Sequence, residues 1–164
     1  MQMVMFRSNS SGLVLISLGS GSSFEMDHKE HKEHKEHEGF APSLESVGRH
    51  VVDAAIKVHT ALGPGLLESA YEHCLAFELC QRGLAVERQT PLPIIYRGMK
   101  LDAGYRLDLL VEGAVVVEVK SADSMTRLFE AQVLTYLKLS GCRLGYLINF
   151  NVGQVRDGLK RLVL

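Results

Sequence analysis

The sequence predicts an α/β domain built on a mixed β-sheet with helices on both faces. Three observations carry that prediction. Residues 44–62 and 66–82 repeat apolar side chains at helical spacing, whereas residues 85–120 alternate with the period of strands. A further helical stretch near residues 125–140 leads into the strongly apolar RLGYLINF of residues 143–150. A helical crossover leaves the strands it joins parallel, while a tight turn within residues 105–120 makes its two arms antiparallel.

Taken in order, Gly39 to Ser43 reads as a linker, with Pro42 and Ser43 marking a helix start. The first helix is expected over Leu44–Leu62, where Val47, Val51, Ala54, Ala55, Val58 and Leu62 form one stripe. His50 and His59 read as exposed or capping residues, not ligands. Gly63-Pro64-Gly65 breaks the chain, and a second helix is expected over Leu66–Arg82, ended by Gly83. Strands follow near Ala85–Gln89 and Leu92–Tyr96, with Arg97-Gly98 as a turn. After the hairpin of residues 105–120 and a connector over Ser121–Ser124, a third helix is expected over Met125–Ser140, ended by Gly141. Arg143–Phe150 reads as a central strand parallel to the one that holds Glu118, and Val155–Leu164 as a short closing helix or edge strand.

The hairpin YRLDLLVEGAVVVEVK, Tyr105 to Lys120, places Asp108, Glu118 and Lys120 inside apolar arms. Charges there are costly unless something needs them. Side chains alternate faces along a strand, so Glu118 and Lys120 share one. A two-residue loop would set Asp108 opposite Val117 and bury it among valines. A loop with an odd number of residues puts Leu107, Leu109, Val111, Val115, Val117 and Val119 on one face. Asp108, Glu118 and Lys120 then gather on the other. A three-residue loop with Gly113 in the left-handed conformation satisfies this.

Two carboxylates at this spacing suit a hard cation such as Mg²⁺, which takes oxygen ligands, keeps several waters and often bridges to phosphate. A metal-bound water is acidic enough to attack phosphorus, and an ammonium beside it orients that water or offsets phosphoryl charge. From spacing alone, a salt-bridged surface face explains the same residues equally well.

Asp108 followed by Glu118-Val119-Lys120 resembles the core signature of the PD-(D/E)xK nuclease superfamily. Upstream, Gly65-Leu66-Leu67-Glu68-Ser69-Ala70-Tyr71 is similar to the GxxExxY pattern of one family within it, and Gln132 with Tyr136 resembles the glutamine helix that follows the lysine. The resemblance spans roughly Val47 to Leu164. Leu107 stands where the superfamily pattern has proline. The resemblance implies a restriction-endonuclease-like fold and a Mg²⁺- or Mn²⁺-dependent nuclease acting on DNA or RNA. Asp108, Glu118 and the Val119 carbonyl would hold the metal, with Glu68 as an outer ligand or water holder. Lys120 would position water, and Gln132 would reach a phosphate or a metal-bound water. Tyr71 and Tyr136 are expected substrate contacts; for Tyr71, hydrogen bonding to a site carboxylate and plain packing are both open. Apart from the resemblance, Arg156, Lys160 and Arg161 form the densest basic patch, which reads equally as a phosphate contact, through Arg156 and Lys160, or as a solvated surface.

Charge limits the partner. Residues 1–38 hold four basic and six acidic side chains, so residues 39–164 carry fourteen basic against thirteen acidic, about +1. That is no broad footprint for nucleic acid, so contact has to be local. No separate recognition domain is evident, and sequence-specific cutting is not expected; a homodimer is left open. A non-catalytic nucleic-acid-binding or assembly module on the same fold is the rival reading.

The leader, residues 1–42, reads as low-complexity. Residues 28–38 run HKEHKEHKEHE, lacking any apolar stripe that would build a core. Its histidines would chelate transition metals if they carried the function, and deleting residues 1–38 would then remove all activity. Arg7 with Leu13–Ile16 resembles a signal peptide only faintly, without a cleavage site, and Met26 is an alternative start. Cys74, Cys80 and Cys142 show no zinc spacing and read as buried thiols of a cytoplasmic protein. No run reaches the length of a transmembrane helix, so no membrane partner is expected.

Overall fold

The computed structural model describes residues 42–101 and 104–164. The expectations for the leader, its histidine tract and Met26 lie outside the described residues.

Helix α1 spans Leu44–Leu62, as its apolar stripe predicts. Ser43 caps it, its hydroxyl accepting from the Ser46 N–H at 3.2 Å. Helix α2 is shorter than expected, Glu68–Gln81. Leu66 forms a bend and Leu67 stays extended, because Gly63-Pro64-Gly65 and an uncapped start do not hold the first turn. Strands β1 (Val86–Pro91), β2 (Ile94–Tyr96), β3 (Met99–Leu101), β4 (Arg106–Val111) and β5 (Val115–Lys120) follow. Helix α3 spans Arg127–Ser140, capped by Thr126 and closed by Gly141 at φ 76°. Strand β6 (Leu144–Asn149), a 3-10 turn (Val155–Gly158) and strand β7 (Leu159–Val163) complete the chain. The last segment thus holds both of the forms expected for it.

The mixed sheet runs β1-β4-β5-β6-β7. Only β5 and β6 are parallel, joined by the α3 crossover, with Glu118 opposite Leu147 and Lys120 opposite Asn149. The expected central strand, β6, is interior, while β5 holds the centre. Strands β2 and β3 form a hairpin of their own outside that sheet, and β3 adds a strand to those expected.

Two apolar clusters flank the sheet. Val47, Val51, Val58, Leu75 and Leu79 of α1 and α2 pack against Leu109, Val111, Val115, Val117 and Val119. Val133, Tyr136 and Leu137 of α3 pack on the opposite face against Val116 and Leu147. Helices therefore cover both faces, as in the restriction-endonuclease-like α/β fold. Two glycines let the helices approach. A Cβ on Gly48 of α1 would lie 2.4 Å from the Tyr146 hydroxyl, and one on Gly145 would lie 3.0 Å from Val133.

The β4–β5 loop has the expected three residues, since Val111 pairs with Val115. Glu112 and Gly113 both take left-handed backbone, φ 52° and 61°. One expectation fails here. Leu107 does not join Leu109 and Val111 but packs in the α3-side cluster with Leu92 and Tyr136. The break in alternation coincides with Gln89 on the adjoining strand, which takes φ 52° between the rungs Arg88–Leu109 and Thr90–Leu107.

Two minor expectations are also corrected. His59 is buried, its Nε2 2.8 Å from the Val152 carbonyl and its ring stacked on Phe150. Of the three thiols only Cys142 is buried; on α2, Cys74 is half-buried and Cys80 exposed.

Candidate active site

Helix α2, the irregular part of β1, and the ends of β4 and β5 bring four acids and a lysine together. The β4–β5 ladder stops at Leu109–Val117. Beyond it the Asp108 carboxylate supplies the acceptor, its Oδ2 taking the Val119 N–H at 2.9 Å. Glu118 is 2% exposed, and Lys120 Nζ donates to its Oε1 at 2.6 Å. Lys120 also sits 5.4 Å from the Phe129 ring centre on α3. Glu118 Oε2 is buried with no hydrogen-bond partner.

Burial raises the Glu118 carboxyl to about 7, with the Asp108 charge adding to it and Lys120 opposing. Burial also raises Asp108 above its ordinary value, against the Val119 N–H and the Lys120 charge. Burial works against the Lys120 ammonium, but its bond to Glu118 and the charges of Glu118, Glu68 and Asp108 hold its pKa above the ordinary value.

A second layer of groups lies beyond what sequence reasoning finds. Gln89 Nε2 donates to Asp108 Oδ1 at 3.3 Å and to Glu72 Oε2 at 2.8 Å. Arg88 Nε donates to Glu72 Oε1 at 2.9 Å. Glu72 is buried, so its charge needs both partners. One signal is present: Glu72 lies four residues after Glu68 and shares its helix face. The Gln89 contact depends on its left-handed backbone, which no pattern announces.

The other expected residues divide. Glu68 opens α2 and accepts the Ser121 N–H at 3.1 Å, while the Ser121 hydroxyl donates to the Leu66 carbonyl at 2.6 Å. Glu68 thus ties the helix to the residue after Lys120. Leu66, Leu67, Glu68, Ser69 and Ser121 line an open depression of about 420 Å³ there. Gln132 Nε2 donates to the Tyr136 hydroxyl at 2.5 Å, so its amide is already engaged. Burial raises the Tyr136 phenol, and the Glu118 and Asp108 charges raise it further, which puts this pair beside the carboxylates.

Tyr71 does not fit a substrate contact. It is fully buried and stacks on Phe150 at 4.5 Å. Its hydroxyl donates to the Gly63 carbonyl at 2.6 Å and accepts from the Leu66 N–H at 3.1 Å. Tyr71 packs and braces the loop before α2. The basic cluster at the C-terminal end does not converge either. Arg156 lies 3.7 Å from Asp157, Lys160 pairs with Glu130 at 2.5 Å, and Arg161 pairs with Glu45 at 2.5 Å. Each cation answers a carboxylate instead of facing a common anion.

Among the described residues, no three His, Cys, Asp or Glu side chains form a ready metal cluster. The donor set nevertheless fits a hard divalent ion, which needs only one or two carboxylates when waters and a phosphate complete its shell. The partnerless Glu118 Oε2 is the oxygen such an ion would satisfy.

No curated protein and no solved structure matches the chain. The family model of the PD-(D/E)XK nuclease superfamily matches residues 45–162, which include every group of this site. The fold, the hairpin acids and that match place the chain in one family: it belongs to the PD-(D/E)XK nuclease superfamily.

Proposed function

We propose that the protein is a divalent-metal-dependent nuclease that hydrolyses phosphodiester bonds in DNA or RNA without sequence specificity. The observation that carries this reading is the buried, partnerless Glu118 Oε2 beside Asp108 and Lys120. Asp108, Glu118 and the Val119 carbonyl would hold Mg²⁺ or Mn²⁺. When bound, the ion supplies an acidic water and stabilises charge on the phosphoryl oxygens.

The chain's own groups do the rest. With its Glu118 partner engaged by such an ion, Lys120 would be free to donate to the attacking water or to a phosphoryl oxygen. Gln89 and Glu72 orient Asp108, and Glu68 holds the backbone at Ser121 directly after Lys120. Gln132 and Tyr136 close the site on the α3 side. The narrower likeness to the GxxExxY family rests on Gly65 to Tyr71, whose part here is to shape the start of α2.

Purified protein with Mg²⁺ or Mn²⁺ is expected to cut nucleic acid, and Lys120→Ala to slow cutting by about a hundredfold or more. Cutting at an unchanged rate in that variant rejects the assignment.

A further inference from the structure

We infer that the β2–β3 hairpin is an arm that grips unpaired nucleotides, so that the substrate of the neighbouring site is single-stranded; this deepens the nuclease reading and rests on it. The hairpin stands outside the main sheet and turns through Arg97 and Gly98, at φ 48° and 82°. Isolated two-stranded ribbons are marginal in water, and apolar side chains on them call for a partner. This one exposes Ile95 at 71%, Tyr96 at 57% and Met99 at 57%. The register pairs Tyr96 with Met99 and Ile94 with Leu101, which puts those four on one face and Ile95 with Lys100 on the other.

Charge identifies the partner. Leu92 to Arg106 holds Arg97, Lys100 and Arg106 against the single acid Asp102, a net +2 where residues 39–164 together net about +1. Lys100 and Arg106 are exposed, and the Arg97 guanidinium lies 5.6 Å from the centre of the Tyr96 ring. A cation against an exposed ring makes a flat surface for bases, while the other cations meet phosphates. A duplex hides its base faces inside the stack, so an aromatic platform gains little from it. Unpaired bases offer theirs freely.

The hairpin's root adjoins the site. The Leu92 N–H donates to the Tyr105 carbonyl at 2.8 Å, and the Tyr105 ring meets Tyr136 edge-on at 6.2 Å. Strands of three residues reach about 10 Å. A strand held on the arm would therefore pass close to the carboxylates.

The test measures binding without cleavage. Fluorescence anisotropy of the full chain in chelator is read with a single-stranded oligonucleotide and with its duplex, each as DNA and as RNA. Tyr96→Ala is expected to weaken single-strand binding about tenfold and leave duplex binding unchanged. Tyr96→Phe is expected to restore it, which separates a lost platform from a damaged fold. Arg97→Ala with Lys100→Ala is expected to lower the slope of log affinity against log salt by about 1.4. The inference is overturned if Tyr96→Ala binds the single strand like the parent, or if it weakens duplex binding equally. It is also overturned if hairpin variants only convert a dimer to a monomer in light scattering. Cleavage is assayed separately on the parent, so a failed nuclease reading appears there and a failed arm appears in anisotropy.

Discussion

Glu118 shows how a single buried carboxylate sets the behaviour of this site. Its carboxyl stands at about 7 when folded, against 4.5 for a freely solvated glutamate. Below about pH 4.5 it is protonated in both the folded and the unfolded chain and costs nothing. As pH rises through that window the unfolded chain gives up its proton first, so folding weakens; Asp108, also raised, acts in the same direction. The metal-free protein is therefore expected to lose on the order of 2–3 kcal/mol between pH 4.5 and pH 8 through Glu118. Glu118→Gln should remove that loss, as measured by urea unfolding at both pH values. An identical pH profile in the variant would contradict the burial argument. Mg²⁺ should stabilise the parent more at pH 8 than at pH 5, because ion and proton compete for one carboxylate. Glu72 permits a second prediction. Glu72→Gln leaves Arg88 without its counter-charge and frees Gln89 from its orienting role. Mn²⁺ affinity, by calorimetry, is expected to fall about tenfold or more. Unchanged affinity would show that Asp108 needs no such support.

The elements are legible in the sequence to very different degrees. Helix α1 and the β4–β5 hairpin can be read because burial on a known period leaves no freedom: shifting the loop by one residue would bury Asp108 among valines. Helix α3 and its Gly141 stop follow from the same logic. Strand β2 and the Arg97-Gly98 turn are legible from their residue types, but β3 escapes because its residues face solvent, so alternation says nothing about burial there. Leu107 escapes because the strand changes face beside Gln89, a non-glycine residue with φ 52°. At this scale α1 is expected to be intolerant of a larger side chain at Gly48. Alanine is normally the better helix former by about 1 kcal/mol. Here its Cβ would sit 2.4 Å from the Tyr146 hydroxyl. Gly48→Ala should cost about 1–3 kcal/mol in thermal or urea unfolding, and adding Tyr146→Phe should recover part of it. A stabilised Gly48→Ala protein would contradict the flush packing of α1 on β6.

At the scale of the whole molecule, the fold turns a mixed sheet into a holder for charges that a core would otherwise reject. Helices α1 and α2 seal one face and α3 the other, leaving the ends of β4 and β5 as the place where buried acids meet. Asp108 stands where the alternation of β4 breaks between Leu107 and Leu109, so parity alone does not place it, whereas Glu118 and Lys120 are legible through parity. Their supporting groups, Glu72 and Gln89, are not, because they come from distant segments and meet only in the folded chain. The near-neutral domain carries no general attraction for nucleic acid, so its function rests on the local site. The central claim is that Asp108 and Glu118 take a divalent ion and release Lys120. Anomalous diffraction from crystals of the full chain soaked in Mn²⁺ tests it most directly. The account predicts a manganese peak between the Asp108 and Glu118 carboxylates, with Lys120 Nζ drawn away from Glu118. A peak only at the histidines of residues 28–37, with Lys120 still bonded to Glu118, would contradict it.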